Sequence, residues 1–302
     1  MCKPLVSVII PTYNSENFIK DCINSILSQT YENIEIVVID DGSYDSTSSI
    51  IKDKFYDKVK FIQQSNQKVA IARQNALNVA SGDYVAFCDH DDVWFPSKIE
   101  KQMNYFLSHP NVSLIHADAV ELNLVNQNLS RYSDLHSGIR DDQKLLEVML
   151  LDHSIPLMST VMIRFDSLKN NQIFFSDMTP GVDDLGVFIS LLVCGEKFHF
   201  LDEVLVTRKM HSNNQSSNYE LRFSRRIELY NNLLSILMPV LTNKDMHLMR
   251  KALSDSAYRV ACAKYLSDKF IAKDLFFESW KNDKRNLKSL IKHLLCLISL
   301  KL

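Results

Sequence analysis

Three carboxylates fall within four residues at Asp89-His90-Asp91-Asp92, just after the β-branched and aromatic run Asp83-Tyr84-Val85-Ala86-Phe87. Acids this close repel one another unless a cation lies between them. A hard divalent ion shared with a diphosphate is the usual arrangement, because Mg²⁺ takes one or two carboxylates and completes its shell with phosphate oxygens and water. The same residues also suit a solvated acidic turn, or a helix starting near Pro96 with Asp92 as its cap. A second acidic pair, Asp40-Asp41, is followed by Gly42-Ser43. A carboxylate there can accept a hydrogen bond from the N3–H of uracil or thymine but not from cytosine, which has no such donor. A third pair, Asp183-Asp184, precedes an apolar stretch running to Cys194. It could supply a general base for an attacking hydroxyl, or simply favour the N-terminus of the following helix.

The elements that position these acids read as alternating strands and helices. Leu5 to Ile10 is a continuous apolar run ended by Pro11, as expected for a strand buried on both faces. Ile34 to Ile39, Val59 to Ile62 and residues 83–88 repeat the pattern, with amphipathic helices between them, the first capped near Ser15. This β-α-β-α-β-α-β order predicts an α/β, Rossmann-like, doubly wound parallel sheet. Such sheets bind ligands beyond the carboxyl ends of their strands, where Pro11, Thr12 and Tyr13, Asp40 and Asp41, and Asp89 and Asp91 would converge. Tyr13 is placed to stack on a base. Arg73, early in the helix before the aspartate strand, would reach phosphate or uridine oxygens, or lie on the surface. Further strands are expected at 112–117, 119–125 and 160–164, a polar loop at 126–140, and small hydroxylated residues lining an acceptor pocket at 154–160.

Composition removes several alternatives. A net charge of -2 gives no reason to expect nucleic-acid binding. Six glycines, none spaced as G-x-G-x-x-G or as a P-loop, exclude a glycine-rich phosphate cradle. Six scattered cysteines without a C-x-x-C pair predict reduced thiols, and no apolar run reaches membrane-spanning length, so the expected location is cytoplasmic.

Ser7-Val8-Ile9-Ile10-Pro11-Thr12-Tyr13-Asn14, Asp40-Asp41-Gly42-Ser43, Ala72-Arg73-Gln74-Asn75 and Asp89-His90-Asp91-Asp92-Val93-Trp94 together resemble the ordered motifs of family 2 glycosyltransferases. The resemblance is clearest over residues 5–110 and extends more loosely to about 218. It implies the A-type glycosyltransferase fold and an inverting transfer from a UDP- or dTDP-sugar to a glycan or lipid-linked acceptor. Asp91 and Asp89 would then hold Mn²⁺ or Mg²⁺. Pro11, Thr12, Tyr13, Asp40, Asp41, Arg73, Asp89 and His90 would bind the nucleotide-sugar, and Asp184 would be the catalytic base. Asp183 stands where the family has Glu. Lys209 and His211 match a basic residue and a His two apart that contact the diphosphate or a lid, as Asp183 also would. The Asp-His-Asp-Asp-Val-Trp variant, with Pro96 and Lys98, resembles a rhamnosyltransferase-like subgroup of bacterial surface-polysaccharide enzymes acting on LPS O-antigen or capsule. A nucleotidyltransferase or a non-catalytic scaffold on the same fold are the rival readings.

Residues 1–218 are expected to form the catalytic domain, split near 110 into a nucleotide-sugar half and an acceptor-side half. Helical periodicity takes over at 219–302. Residues 281–302 hold six Lys or Arg against the single acid Asp283, with leucines and isoleucines at helical spacing. Such a tail suits either peripheral association with the inner face of the cell membrane or packing on neighbouring helices or a second subunit.

Overall fold

The computed structural model describes residues 3–132, 142–151, 155–175, 182–211 and 219–299. Strands β1 (Val6–Thr12), β2 (Ile34–Asp40), β3 (Lys60–Gln63) and β4 (Tyr84–Phe87) form the parallel half of one sheet in the order β3-β2-β1-β4. Helices α1 (Ile19–Leu27), α2 (Thr47–Phe55) and α3 (Lys68–Val79) connect them. Alternation along each strand feeds two cores. Ile9, Val37, Ile39, Val85 and Phe87 pack on the α3 side, while Val8, Ile10, Val38 and Ala86 pack on the α1 side. The approach of residue 82 to β1 requires glycine, since a Cβ there would lie 2.6 Å from Ser7 Oγ.

The four strands expected to be parallel are so, and past β4 the sheet becomes mixed. β5 (Val93–Trp94) is followed by α4 (Lys98–Ser108), β6 (Val112–Asn123), β7 (Leu129–Arg131) and α5 (Asp142–Leu151). β8 (Met162–Arg164) runs antiparallel to both β4 and β6, and is followed by α6 (Phe165–Asn170). α7 (Asp183–Val193) leads into the long β9 (Lys197–Met210), which pairs in parallel with β6 and antiparallel with β5. The two strands expected at 112–117 and 119–125 are one strand. Its pairing with β9 shifts register around Asp118, which is buried and ion-paired to Arg131, so the apolar pattern breaks without ending the strand.

Four helices complete the described chain: α8 (Tyr219–Ile236), α9 (Asn243–Lys264), α10 (Lys269–Asn282) and α11 (Leu287–Ser299). Leu229, Leu233, Leu248 and Leu253 enter the same core as Ile9 and Val85, so α8 and α9 pack directly on the sheet's helical layer. Thr242 and Asp245 close a reciprocal capping box at the start of α9. α10 and α11 attach through a small separate core around Phe276 and Cys296. No described helix is long and apolar enough to cross a membrane. The five described cysteines are free thiols, as expected, with Cys22 and Cys88 Sγ 3.5 Å apart. The expected chain boundary at 213–218, most of the 126–140 loop and Ser154 lie outside the described residues.

Candidate active site

The carboxyl ends of β1, β2 and β4 carry the predicted residues into one region. Thr12 is buried, its Oγ1 against Ser15 Oγ, and its carbonyl accepts from the Asp41 backbone N–H at 2.8 Å. Pro11 lies opposite Ile39 in the β1–β2 pairing. Ser15 does not cap α1 with its side chain; its carbonyl takes the backbone N–H groups of Phe18 and Ile19. Tyr13 is 41% exposed and meets Tyr44 edge to face, with ring centroids 6.1 Å apart. Asn14, with φ 48°, locks the two loops together: its N–H donates to Ser43 Oγ at 2.9 Å, and its Oδ1 accepts from the Tyr44 N–H at 3.0 Å.

Asp40 and Asp41 are both buried, and protein donors surround both. Asp40 accepts from the Ser43 N–H and hydroxyl, from Ser48 Oγ and from Gln63 Nε2, which ties the turn to the start of α2. Asp41 accepts from Gln64 Nε2 at 2.7 Å and from the backbone N–H groups of Gln67 and Lys68 at 2.8 and 2.9 Å. A carboxylate offers about four lone-pair sites, so Asp40 is filled and Asp41 keeps room for one further donor. Gly42 makes the turn possible, with φ 80° and a Cβ there held only 3.0 Å from Asn66 N.

Arg73 is not a surface residue. It is buried on α3, with Nη2 2.8 Å from Asp89 Oδ1 and Nη1 2.9 Å from Asp183 Oδ2. Burial alone would lower its pKa, but the Asp89 and Asp183 charges outweigh that and hold it protonated. Its guanidinium also lies over the Phe175 ring, 5.8 Å from the centroid. One cation thus ties the end of β4 to the start of α7. Beside it Asp184 is half-buried and accepts from the Leu185 N–H at 2.8 Å. Burial pushes its pKa up to about 6; the Asp183 charge adds to the rise and Arg73 opposes it.

The acidic loop separates its three carboxylates. Asp89 remains 33% exposed at the side chain, and Asp91 pairs with His211, Oδ2 to Nε2, at 2.9 Å. His90 is half-buried between them. His211 in turn stacks on Phe18, with centroids 4.8 Å apart. Asp92 does not cap the following helix. It is buried against Ser159, and burial followed by the charges of Asp89 and Asp91 pushes its pKa well up. Ser159 Oγ also accepts the Asp89 N–H at 3.0 Å. Ser159 and Thr160 are fully buried, and Ser159 braces the acidic loop. Lys209 reaches Asp21 on α1 at 3.0 Å, to the side of the acids.

Sequence reasoning missed Ser159 as a brace, Tyr44 as a second exposed aromatic, and Phe18 as the surface under His211. Each contact joins residues far apart in the chain or, for Tyr44, follows a motif that names only its neighbours. Lys98 was noted only as part of a resemblance. It is fully buried below the loop, with Nζ 3.9 Å from the centroid of the Trp94 ring and 2.8 Å from Gln102 Oε1, and burial lowers its pKa to about 7.

The donor set fits a hard divalent cation. Asp89 and Asp91 present carboxylate oxygens from one loop, with the His211 imidazole beside Asp91. No group of three or more His, Cys, Asp or Glu stands ready to enclose a metal among the described residues. A cation here would complete its shell with substrate oxygens and water, the habit of Mg²⁺ in phosphate sites.

Residues 7–169 match the sequence family described as Glycosyl transferase family 2. An uncharacterized glycosyltransferase of Rickettsia felis is 30% identical over 261 residues, covering 84% of this chain but 41% of that protein's length. TuaG of Bacillus subtilis, named as a teichuronic acid biosynthesis glycosyltransferase, is 30% identical over 227 residues, covering 72% of this chain and 83% of its own. Among solved structures, residues 1–349 of Staphylococcus aureus TarS in complex with UDP-GlcNAc superpose with a TM-score of 0.63 at 18% identity, covering 98% of this chain and 91% of that one. The mannosyltransferase PcManGT of Pyrobaculum calidifontis, in complex with GDP-Man and Mn²⁺, gives 0.59 at 17% identity, covering 98% and 86%. The mixed sheet with its helical extension therefore has the A-type glycosyltransferase fold that the motifs implied, and the chain belongs to glycosyltransferase family 2.

Proposed function

We propose that this protein is an inverting glycosyltransferase that moves a sugar from a UDP- or dTDP-linked donor to a glycan or lipid-linked acceptor. The product would be a cell-surface polysaccharide, an LPS O-antigen or a capsule, assembled at the cytoplasmic face of the membrane. Residues 1–218 form its catalytic domain. The observation that carries the reading is the half-buried Asp184 carboxylate. Its pKa of about 6 suits a base that is ionised at neutral pH yet able to take a proton.

Asp184 accepts the proton of an acceptor hydroxyl while that oxygen bonds to the anomeric carbon. The bond from that carbon to the nucleoside diphosphate breaks on the opposite face, so the configuration inverts. Arg73 fixes Asp183 and Asp89, which holds Asp184 at a set place relative to the donor's end of the crevice. Asp41 takes the N3–H of uracil or thymine with its remaining lone pair, against the Tyr13 ring. Asp91 and Asp89, with His211 beside Asp91, would hold Mn²⁺ or Mg²⁺. When bound, the ion offsets negative charge gathering on the departing diphosphate. TuaG's name and the nucleotide-sugar ligands of TarS and PcManGT are consistent with this chemistry.

Calorimetric titration with UDP, dTDP, GDP and CDP, with and without Mn²⁺, tests the donor site on the wild type and on Asp91→Ala. Metal-dependent binding of UDP or dTDP that the variant loses is the expected result. Binding of no nucleotide under any condition overturns the transferase reading, and preference for CDP overturns the role of Asp41.

A further inference from the structure

Helix α11 is inside out relative to an ordinary surface helix, which turns its apolar stripe to the core and its polar face to water. Its packed side sets polar residues beside Cys296, which enters the small core around Phe276. Ser289 and Cys296 are fully buried, Ser289 Oγ lies 2.8 Å from Ser279 Oγ, and His293 Nδ1 lies 2.9 Å from the Lys273 carbonyl oxygen. Its outward side is apolar. Leu287, Ile291, Leu294, Leu295 and Ile298 are 49–60% exposed, and their spacing sets them on one stripe opposite Ser289 and Cys296. Among the described residues the stripe stays half-exposed, and a contiguous apolar patch of this kind marks an interaction surface.

Charge selects the partner. Residues 281–302 carry six Lys or Arg against one acid, and the exposed Lys284, Arg285 and Lys288 sit at and before the start of the stripe. Two such faces brought together would oppose like charges, whereas an anionic lipid surface offers both acyl chains and countercharge. We propose that α11 lies flat on an anionic membrane, with its leucine and isoleucine stripe among the acyl chains and the exposed Lys284 and Lys288 at the headgroups, while Lys292 stays packed on Cys262 and Tyr258. At 13 residues it is about 20 Å long, too short to cross a hydrocarbon core of about 30 Å. The inference is independent of the donor and acceptor proposed above.

Flotation of the full chain with vesicles of phosphatidylcholine alone, or of phosphatidylcholine mixed with phosphatidylglycerol, tests it. The wild type should bind the anionic vesicles at least about tenfold more strongly than the neutral ones. The double variant Ile291→Gln, Leu295→Gln should lose about tenfold or more, because two apolar anchors are gone. Both positions are exposed, so an unchanged melting curve and unchanged nucleotide titration keep folding and donor binding apart from lipid binding. Light scattering without lipid should give a monomer. Equal binding to both vesicle types, binding unaffected by the double variant, or a lipid-free dimer that the variant dissociates would each overturn the proposal.

Discussion

Two of the Asp-Asp pairs in the candidate site, Asp40-Asp41 and Asp183-Asp184, are treated in opposite ways. Asp40-Asp41 ends a strand and turns into a loop, where hydroxyl, amide and backbone donors converge on both carboxylates. Asp183-Asp184 opens a helix whose residues enter the core, and one guanidinium is shared between Asp183 and Asp89. Asp184 accepts from the Leu185 backbone N–H and has a pKa raised by burial. The difference suits the proposed tasks. Reading a base needs a carboxylate held still by many donors, while moving a proton needs one whose charge is poorly compensated.

Removing the poorly compensated carboxylate should have the largest effect. Asp184→Asn should lower turnover roughly 10²–10⁴-fold while leaving UDP affinity intact, as measured by product formation beside calorimetry. The wild-type rate should fall as pH drops through about 6, where Asp184 takes up a proton. The stability effect has a definite sign. The folded pKa of Asp184 lies above the ordinary carboxylate value, so its favourable contribution is complete below that value and disappears as pH rises through about 6. The Asn variant, neutral throughout, should therefore exceed the wild type by roughly 1–2 kcal/mol in urea unfolding at pH 7 and match it at acid pH.

Arg73→Met breaks the link between the two sides of the crevice. Two carboxylates would lose their buried counterion, so a stability loss of about 3–5 kcal/mol is expected from denaturant unfolding. Because Arg73 holds the Asp184 pKa down, any residual activity should show its acid limb at higher pH. An unchanged limb would dissociate Arg73 from the base. Asp41→Asn probes the well-compensated pair. It should weaken UDP about tenfold to a hundredfold and narrow the preference for UDP over CDP, since the amide can donate to cytosine N3. The smallest effect belongs to Tyr44, which meets Tyr13 edge to face and is otherwise open to solvent. Tyr44→Ala should weaken UDP by about two- to tenfold and Tyr44→Phe hardly at all; equal titrations for all three would remove it from the nucleoside site.

Much of this was legible in the chain. Three of the four parallel strands were visible because buried strands are near-continuous apolar runs, and their ends marked the acids at 40–41 and 89–92; the partly exposed edge strand β3 was marked by its place in the alternation. β9 was harder to see, since polar and half-exposed residues run through it and its pairing shifts register against β6. The two-residue β5 has no period to detect. Arg73 looked equally suited to solvent or substrate, because nothing local announces that Asp183 lies 110 positions away and 2.9 Å distant.

Local sequence therefore determined which residues exist to do chemistry and which strand ends carry them: residue type and short-range hydrophobic period are written directly in the chain. The tertiary structure alone decided how those charges are shared. Asp89 and Asp183 divide one arginine, Asp91 meets His211, Asp92 is buried on Ser159, and Asp184 is left to titrate near pH 6. The leucine stripe of α11 follows the same division. Its spacing is in the sequence, but that it faces outward could be known only once Ser289 and Cys296 were found beneath it. The reason is physical: desolvation and ion pairing act over a few ångströms of space, and sequence separation carries no information about that distance.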